Sequence, residues 1–241
     1  MTVSSFQPQH PRERLIVALD VPSASDAHHL ARELRDEVGL FKVGLELFCA
    51  EGPDFVKALG QYGRIFLDLK FLDIPHTVVG ALRSVLRLDP YFLTVHATGG
   101  RPMMQGVTEL LHTHRQSGGQ TRSLAVSVLT SFGDPEWHQV GQADNTTTSV
   151  VNLARLAHSC GMDGAVCSPH EAQELRKKLG DAFLLVCPGI RPTGSEQGDQ
   201  VRVSDPVSAV QAGADYLVVG RPITAATHPR EAARALVESL L

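Results

Sequence analysis

The segment Ile65-Phe-Leu-Asp68-Leu-Lys70-Phe-Leu-Asp73-Ile-Pro75-His-Thr77 holds the densest chemistry in the chain. Asp68 and Lys70 are two apart in an apolar run that reads as a strand, so both side chains leave on one side. Asp73 follows in the next turn, and Pro75 helps to stop the strand. Charges at the end of such a strand are costly unless they pair or open onto a cleft. Two uses remain open from these residues alone. One is a functional site; the other is a structural ion pair, since ion-pair networks also perturb pKa values.

Further charges stand where apolar runs end. Leu19-Asp20 closes the first run and Phe41-Lys42-Val43-Gly44 the second. The chain has five lysines against seventeen arginines, yet Lys42 and Lys70 both take such positions. A lysine is a compact donor that can release its proton, which arginine cannot. Lys42 alone fits either snorkelling or function. Near the C-terminus, Cys187-Pro-Gly189-Ile-Arg191 and Val-Val-Gly220-Arg221 follow two successive apolar runs. Glycine N–H groups and a helix N-terminus there suit a phosphate, and Arg191 and Arg221 could add charge-assisted hydrogen bonds. A plain turn with a solvated cation is the alternative for each. No Walker A or G-x-G-x-x-G pattern points to ATP or NAD. Of eleven histidines, His96 in Val95-His96-Ala97 enters either a pocket or a structural hydrogen bond; His28 and His29 read as surface residues, and His76 as the opening of a helix.

The elements that must position these groups are short apolar runs alternating with amphipathic stretches. The runs are 15–19, 40–44, 65–69, 92–96, 124–129, 164–167, 183–187 and 216–219, the pattern of parallel strands buried on both faces. Helical periodicity covers 25–38, 77–88, 149–159, 169–179 and 229–240. Even recurrence without a linker predicts a single-domain α/β fold, a (β/α)₈ TIM barrel over residues 14–241, behind a flexible N-terminal tail over 1–13. A doubly wound open sheet is the alternative. The longest irregular stretches, 130–148 and 188–204, follow the fifth and seventh strands, at the face where barrels build active sites.

Composition excludes several classes. A net charge of −4 over 241 residues argues against a nucleic-acid-binding surface. Four cysteines without a CxxC pair or zinc spacing read as reduced thiols. No run approaches the roughly 20 apolar residues of a membrane span, and the polar start lacks a signal peptide's apolar stretch. The expectation is a cytoplasmic protein with neither a membrane nor a nucleic-acid partner.

Asp68-x-Lys70-x-x-Asp73-Ile74-Pro75-x-Thr77 resembles the signature of the orotidine 5′-monophosphate decarboxylases. The Val-Ala-Leu-Asp20 strand, Lys42-Val-Gly, Val-His96-Ala, Val-Leu-Thr130-Ser, Pro-Gly-Ile-Arg191, Gly-Asp-Gln200 and Val-Val-Gly220-Arg221 fit the same family in order, from about Leu15 to Thr224. The resemblance implies decarboxylation of orotidine 5′-monophosphate to uridine 5′-monophosphate without metal or cofactor, with Lys70 as proton donor and Asp68, Asp73 and Lys42 completing its network. It implies that Asp20 and Lys42 contact the ribose, that Thr130 lies near the pyrimidine, and that Arg191, Gln200, Gly220 and Arg221 hold the phosphate. It also implies a homodimer in which Asp73, Ile74 and Thr77 reach the neighbouring subunit's site. Two rivals remain. Sugar-phosphate decarboxylases and aldolases with similar barrels use Mg²⁺ and carry an acidic residue where this chain has Lys42. A non-catalytic phosphate-binding barrel would need Arg191 and Arg221 but not the lysine network.

Overall fold

Branched and aromatic residues, in runs too short to form buried helices, pair laterally when both faces of each run can be covered. In a computed structural model that describes residues 7–192 and 204–241, they do so by closing a barrel. The eight strands are β1 (Leu15–Ala18), β2 (Leu40–Val43), β3 (Arg64–Phe71), β4 (Phe92–His96), β5 (Arg122–Val126), β6 (Gly164–Val166), β7 (Leu184–Cys187) and β8 (Tyr216–Val219). All are parallel and neighbour one another in chain order, and β8 returns to β1 with Leu15 opposite Leu217 and Val17 opposite Val219. That closure excludes the open sheet and bears out the single-domain barrel.

Around the strands run α1 (Pro11–Arg14), α2 (Ala24–Leu34), α3 (Leu45–Leu59), α4 (Pro75–Val85), α5 (Gly100–Gln116), α6 (Asp134–Gln139), α7 (Thr146–Ser159), α8 (Pro169–Leu179), α9 (Pro206–Gln211), α10 (Arg221–Thr224) and α11 (Pro229–Glu238). Side-chain caps start several of them. Ser23 accepts from Asp26 N–H, Asn145 from Thr148 N–H and Asp205 from Ser208 N–H. Of the apolar face that periodicity over 25–38 gives, Ala27, Leu30, Ala31 and Leu34 are the buried face of α2, while Val38 is buried past its end. The boundary expected at residue 14 falls inside the turn of α1, where Arg12 donates to Asp36 O and Arg14 to Asp215 O.

Two expectations need correction, and one helix was not anticipated. The stretch 130–148 is not irregular throughout. Glu136 accepts Gly133 N–H at the start of α6, and Asp134 accepts both the N–H and the hydroxyl of Thr146. Trp137 is buried and donates to Ser149. The helix α3 had no expectation, because Gly52 and Pro53 interrupt its pattern; Gly52 takes φ 74°, a kink glycine enters without steric cost. His28 is half-buried, packed edge-on against Phe55 and Tyr62, rather than on the surface.

Side chains alternate along each strand. One set, including Leu15, Val17, Phe41, Leu67 and Leu93, packs outward under the helices. The other set fills the barrel. Ile16, Leu40, Phe66, Phe92, Leu124 and Tyr216 form a separate apolar floor, with the Phe92 ring edge-on to Phe66 and Tyr216. Above that floor the inward positions turn polar: Lys42, Asp68 and Thr94 each lie two residues beyond a floor residue.

Below the floor, aspartates tie neighbouring strands together. Asp89 accepts Gln120 N–H, Asp163 accepts Ser123 N–H and Asp215 accepts Leu185 N–H. Each stands just ahead of its own strand and holds a backbone donor on or just before the adjacent one. Arg176 completes the last of these, donating to Asp215 at 2.7 Å and to the carbonyls of Gly180, Phe183 and Gly213. Burial pushes the Asp215 carboxyl above its usual range, against the pull of Leu185 N–H and Arg176. Arg176→Met should therefore leave an uncompensated buried carboxylate and cost about 3–5 kcal/mol. Urea unfolding should show a lower midpoint at unchanged slope. Arg176→Lys should fall between, because an ammonium keeps the charge but not the fork.

Candidate active site

The strand ends that carry charge in the sequence converge on one cavity of about 560 Å³, within the usual range for small-ligand sites. Asp20 stands just past β1, Lys42 in β2, and Asp68 and Lys70 in β3; all four line it. Lys42 Nζ lies 3.0 Å from Asp20 Oδ1 and 3.7 Å from Asp68 Oδ2. Lys70 Nζ lies 2.7 Å from the same Asp68 oxygen. The result is an alternating chain, Asp20–Lys42–Asp68–Lys70. Lys42 and Asp68 are buried, whereas Asp20 is exposed and Lys70 partly so. Gly44 leaves room for the first pair, since a Cβ there would sit 3.1 Å from Lys42 Nζ and 3.2 Å from Asp20 Oδ1.

Burial by itself would raise the Asp68 pKa. The charges of Lys42 and Lys70, together with hydrogen bonds from Lys70 and Thr94, more than reverse this, so the carboxyl falls below its usual range. His96 is pushed the other way from a charged state: burial and then Lys70 lower its pKa, and Asp68 only partly offsets them. It is half-buried near the network but does not line the cavity.

The backbone at Lys70 is unusual. Its φ is 49°, in the left-handed region that non-glycine residues seldom occupy. The pairing of β3 with β4 shifts register here, from Leu67 opposite Leu93 to Phe71 opposite Val95. Lys70 N–H donates to Thr94 Oγ1 at 2.9 Å, and the Thr94 hydroxyl donates to Asp68 Oδ1 at 2.9 Å.

Across the cavity stand Arg191 after β7, and Gly220 and Arg221 after β8; Thr130 lines the β5 side. All four line the cavity that the lysines open onto, while Gln200 lies outside the described residues. Asp73, Ile74 and Thr77 are not brought into this cavity. All three are exposed on its shoulder, and Asp73 accepts the N–H of Ile74 at 2.6 Å instead of meeting Lys70. Sequence reasoning missed the apolar wall of Phe66, Val126, Val166 and Val218. In strands buried on both faces, inward and outward valines look alike. It also passed over Thr94, whose signal was a single hydroxyl inside the apolar run 92–96.

The array chemically presents an ammonium held beside a buried anion at one wall and a cationic rim at the other. The anion is also a stability element. Asp68 has a depressed pKa in the folded chain, so its contribution is complete above the ordinary carboxylate value of about 3.9 and is lost as pH falls through the depressed one. Asp68→Asn, which leaves the two ammoniums without their shared anion, should cost about 3 kcal/mol at neutral pH. Thermal unfolding of the two proteins should converge only as the medium is acidified below that ordinary value; a gap that does not change with pH would place the stabilisation elsewhere.

Comparison with known proteins agrees with this geometry. Residues 13–236 match the family described as "Orotidine 5'-phosphate decarboxylase / HUMPS family". The orotidine 5'-phosphate decarboxylase of Anaeromyxobacter sp. (strain K) is 49% identical over 231 residues, covering 95% of this chain and 99% of that protein. The one from Rhodospirillum rubrum is 45% identical, covering 97% and 96%. The crystal structure of orotidine 5'-phosphate decarboxylase from Lactobacillus acidophilus superposes with a TM-score of 0.81 at 36% identity, covering 94% of this chain and 98% of that one. With the match running through every strand and both walls of the cavity, the chain belongs to the orotidine 5'-phosphate decarboxylase / HUMPS family.

Proposed function

We propose that this chain decarboxylates orotidine 5′-monophosphate to uridine 5′-monophosphate, the closing step of pyrimidine nucleotide synthesis, with no metal or cofactor. The observation that carries the reading is the placement of Lys42 between Asp20 and Asp68 and of Lys70 against Asp68. A barrel that holds Mg²⁺ against an enediolate needs oxygen ligands at this wall. Here an ammonium fills the space between the two carboxylates and would repel a metal ion.

The chemistry follows from charge. Breaking the bond between ring carbon and carboxylate releases CO₂ and leaves the electron pair on a vinylic carbon, where no carbonyl delocalises it. Preorganised positive charge is then the main source of stabilisation available. Lys70 supplies it, and transfers a proton to that carbon to give the product and a neutral amine, which solvent reprotonates. Asp68 keeps Lys70 charged beforehand and aims it. Asp20 and Lys42 hold the ribose, Thr130 faces the pyrimidine, and Arg191, Gly220 and Arg221 hold the phosphate with Gln200. Binding energy from that remote phosphate is used to align the reacting end.

Two copies share their sites in this reading. Asp73, Ile74 and Thr77 sit beside the cavity without entering it, and the apolar Leu72 and Ile74 are 54% and 66% exposed. A second subunit would cover those side chains and receive Asp73 next to its own Lys70. The protein works in the cytoplasm without nucleic-acid or membrane partners. Its four cysteines are free, and among the described residues no helix is long and apolar enough to cross a membrane.

Orotidine 5′-monophosphate added to the purified protein should lose its orotate absorbance rapidly, equally with and without EDTA. No loss, or loss only with added Mg²⁺, defeats the proposal. Lys70→Ala should lower kcat by at least about 10³-fold while product binding stays measurable. Neither Lys70→Ala nor Asp73→Ala alone should turn over appreciably. Co-refolding the two should regain a fraction of wild-type activity, because one site of each mixed dimer then holds both native residues; no regain would separate Asp73 from the shared site.

A further inference from the structure

We propose that Thr94 is a positioning residue for the decarboxylation, its hydroxyl fixing both the Asp68 carboxylate and the backbone of Lys70. The inference rests on the reading of Lys70 as the reacting ammonium. Thr94 is wholly buried in β4, two residues above the floor residue Phe92. Its hydrogen-bond directions are forced. The Lys70 N–H can only donate, so it occupies an acceptor site of the hydroxyl, and the single hydroxyl hydrogen goes to Asp68 Oδ1. The lysines hold the other oxygen of the same carboxylate, Oδ2. Asp68 is thus gripped on both sides, by cations and by Thr94.

The backbone gives a second, independent reason. Between the pairs Leu67–Leu93 and Phe71–Val95, three residues of β3 stand opposite one of β4. That one residue is Thr94. A bulge of this kind removes regular ladder partners and re-aims a side chain. Lys70, at φ 49°, is the residue re-aimed, and its N–H bonds the Thr94 side chain instead of a strand carbonyl. A left-handed lysine persists only where its surroundings over-determine it. Without the hydroxyl, the bulge loses the bond that closes it, and the ammonium loses the fixed relation to Asp68 on which the proton transfer depends.

The groups facing Asp68 are Lys42 from β2, Lys70 from its own strand, and Thr94 with the nearby His96 from β4; Asp20 acts through Lys42. Removing the hydroxyl takes away a donor that favours the ionised carboxylate. The acid limb of the kcat–pH profile should therefore move to higher pH.

The test is a set of near-isosteric variants, with competent sites counted by titration with uridine 5′-monophosphate. Thr94→Val should lower kcat per site by about 10- to 100-fold, as expected for a lost hydrogen bond to a charged group. KM should stay within about threefold, because uniform binding is not what Thr94 supplies. The acid limb should shift upward, and Thr94→Ser should restore both kcat and the limb. Wild-type kcat and limb in Thr94→Val, or equal damage in Thr94→Ser, overturns the proposal. Should Thr94→Val not fold, Thr94→Cys against Thr94→Ser makes the same comparison, since a thiol is a poor donor of similar size. Failure of the underlying reading is separate: it would show as turnover retained by Lys70→Ala, whatever the Thr94 variants do.

Discussion

A carboxylate taken out of water must be given its positive partners by the fold, and in this barrel one carboxylate, Asp68, organises everything around it. Two ammoniums converge on a single oxygen, at 2.7 and 3.7 Å. Their attraction, with the hydrogen bonds of Lys70 and Thr94, outweighs the burial penalty and keeps the group ionised below its usual range. The converse matters as much for function. An ammonium facing a fixed, desolvated anion stays charged and stays in place, so its field is present before any charge develops on a substrate. Water would need to reorganise to provide the same field, whereas the barrel has met that cost during folding.

This constraint explains the vertical division of the barrel. The floor of Ile16, Leu40, Phe66, Phe92 and Tyr216 is packed and apolar. Below it, Asp89, Asp163 and Asp215 take up backbone N–H groups of neighbouring strands, and Arg176 spans Asp215 and nearby carbonyls. Above it, two carboxylates balance two ammoniums along the chain Asp20–Lys42–Asp68–Lys70, which ends at a lysine partly open to the cavity. Stability and chemistry thus draw on the same residue types at opposite ends of the strands. What separates them is whether each charge ties backbone together or faces the cavity.

Much of this was legible in the sequence, for physical reasons that also set the limits. Charges ending apolar strands are too costly to be accidental, which is why Asp20, Lys42, Asp68 and Lys70 were legible as a group. The strand runs were equally plain, because strands buried on both faces leave continuous apolar stretches. The break of α3 at Gly52-Pro53 and the short helix α6 were not, since each depends on local turn chemistry rather than on a period. The bulge at Lys70 was invisible for a related reason. Alternation assigns the side chains of Asp68 and Lys70 to one face but says nothing of a φ of 49°, which follows from the partner strand offering one residue to three. Asp73, Ile74 and Thr77 carry a clear motif, yet the fold of one chain leaves them outside its cavity. Only the proposed pairing of two copies would give them a place in a site.

In the proposed reaction, the choice of cation at the two walls matches different tasks. Arginine's planar fork suits a phosphate, which is bound and released unchanged, and arginine does not give up its proton. Lysine's compact ammonium suits a point of charge that must both stabilise a carbanion and protonate it. The chain has more than three arginines for each lysine, seventeen to five, and still sets Lys42 and Lys70 beside Asp68 while Arg191 and Arg221 line the far rim. Exchanging the two types would keep the net charge and the overall field. It would put a permanently protonated group where the proposed reaction transfers a proton, and a single-point donor where the proposed phosphate offers several acceptors. Charge fixes which wall attracts an anion, and the chemistry of the particular cation fixes what can be done with it.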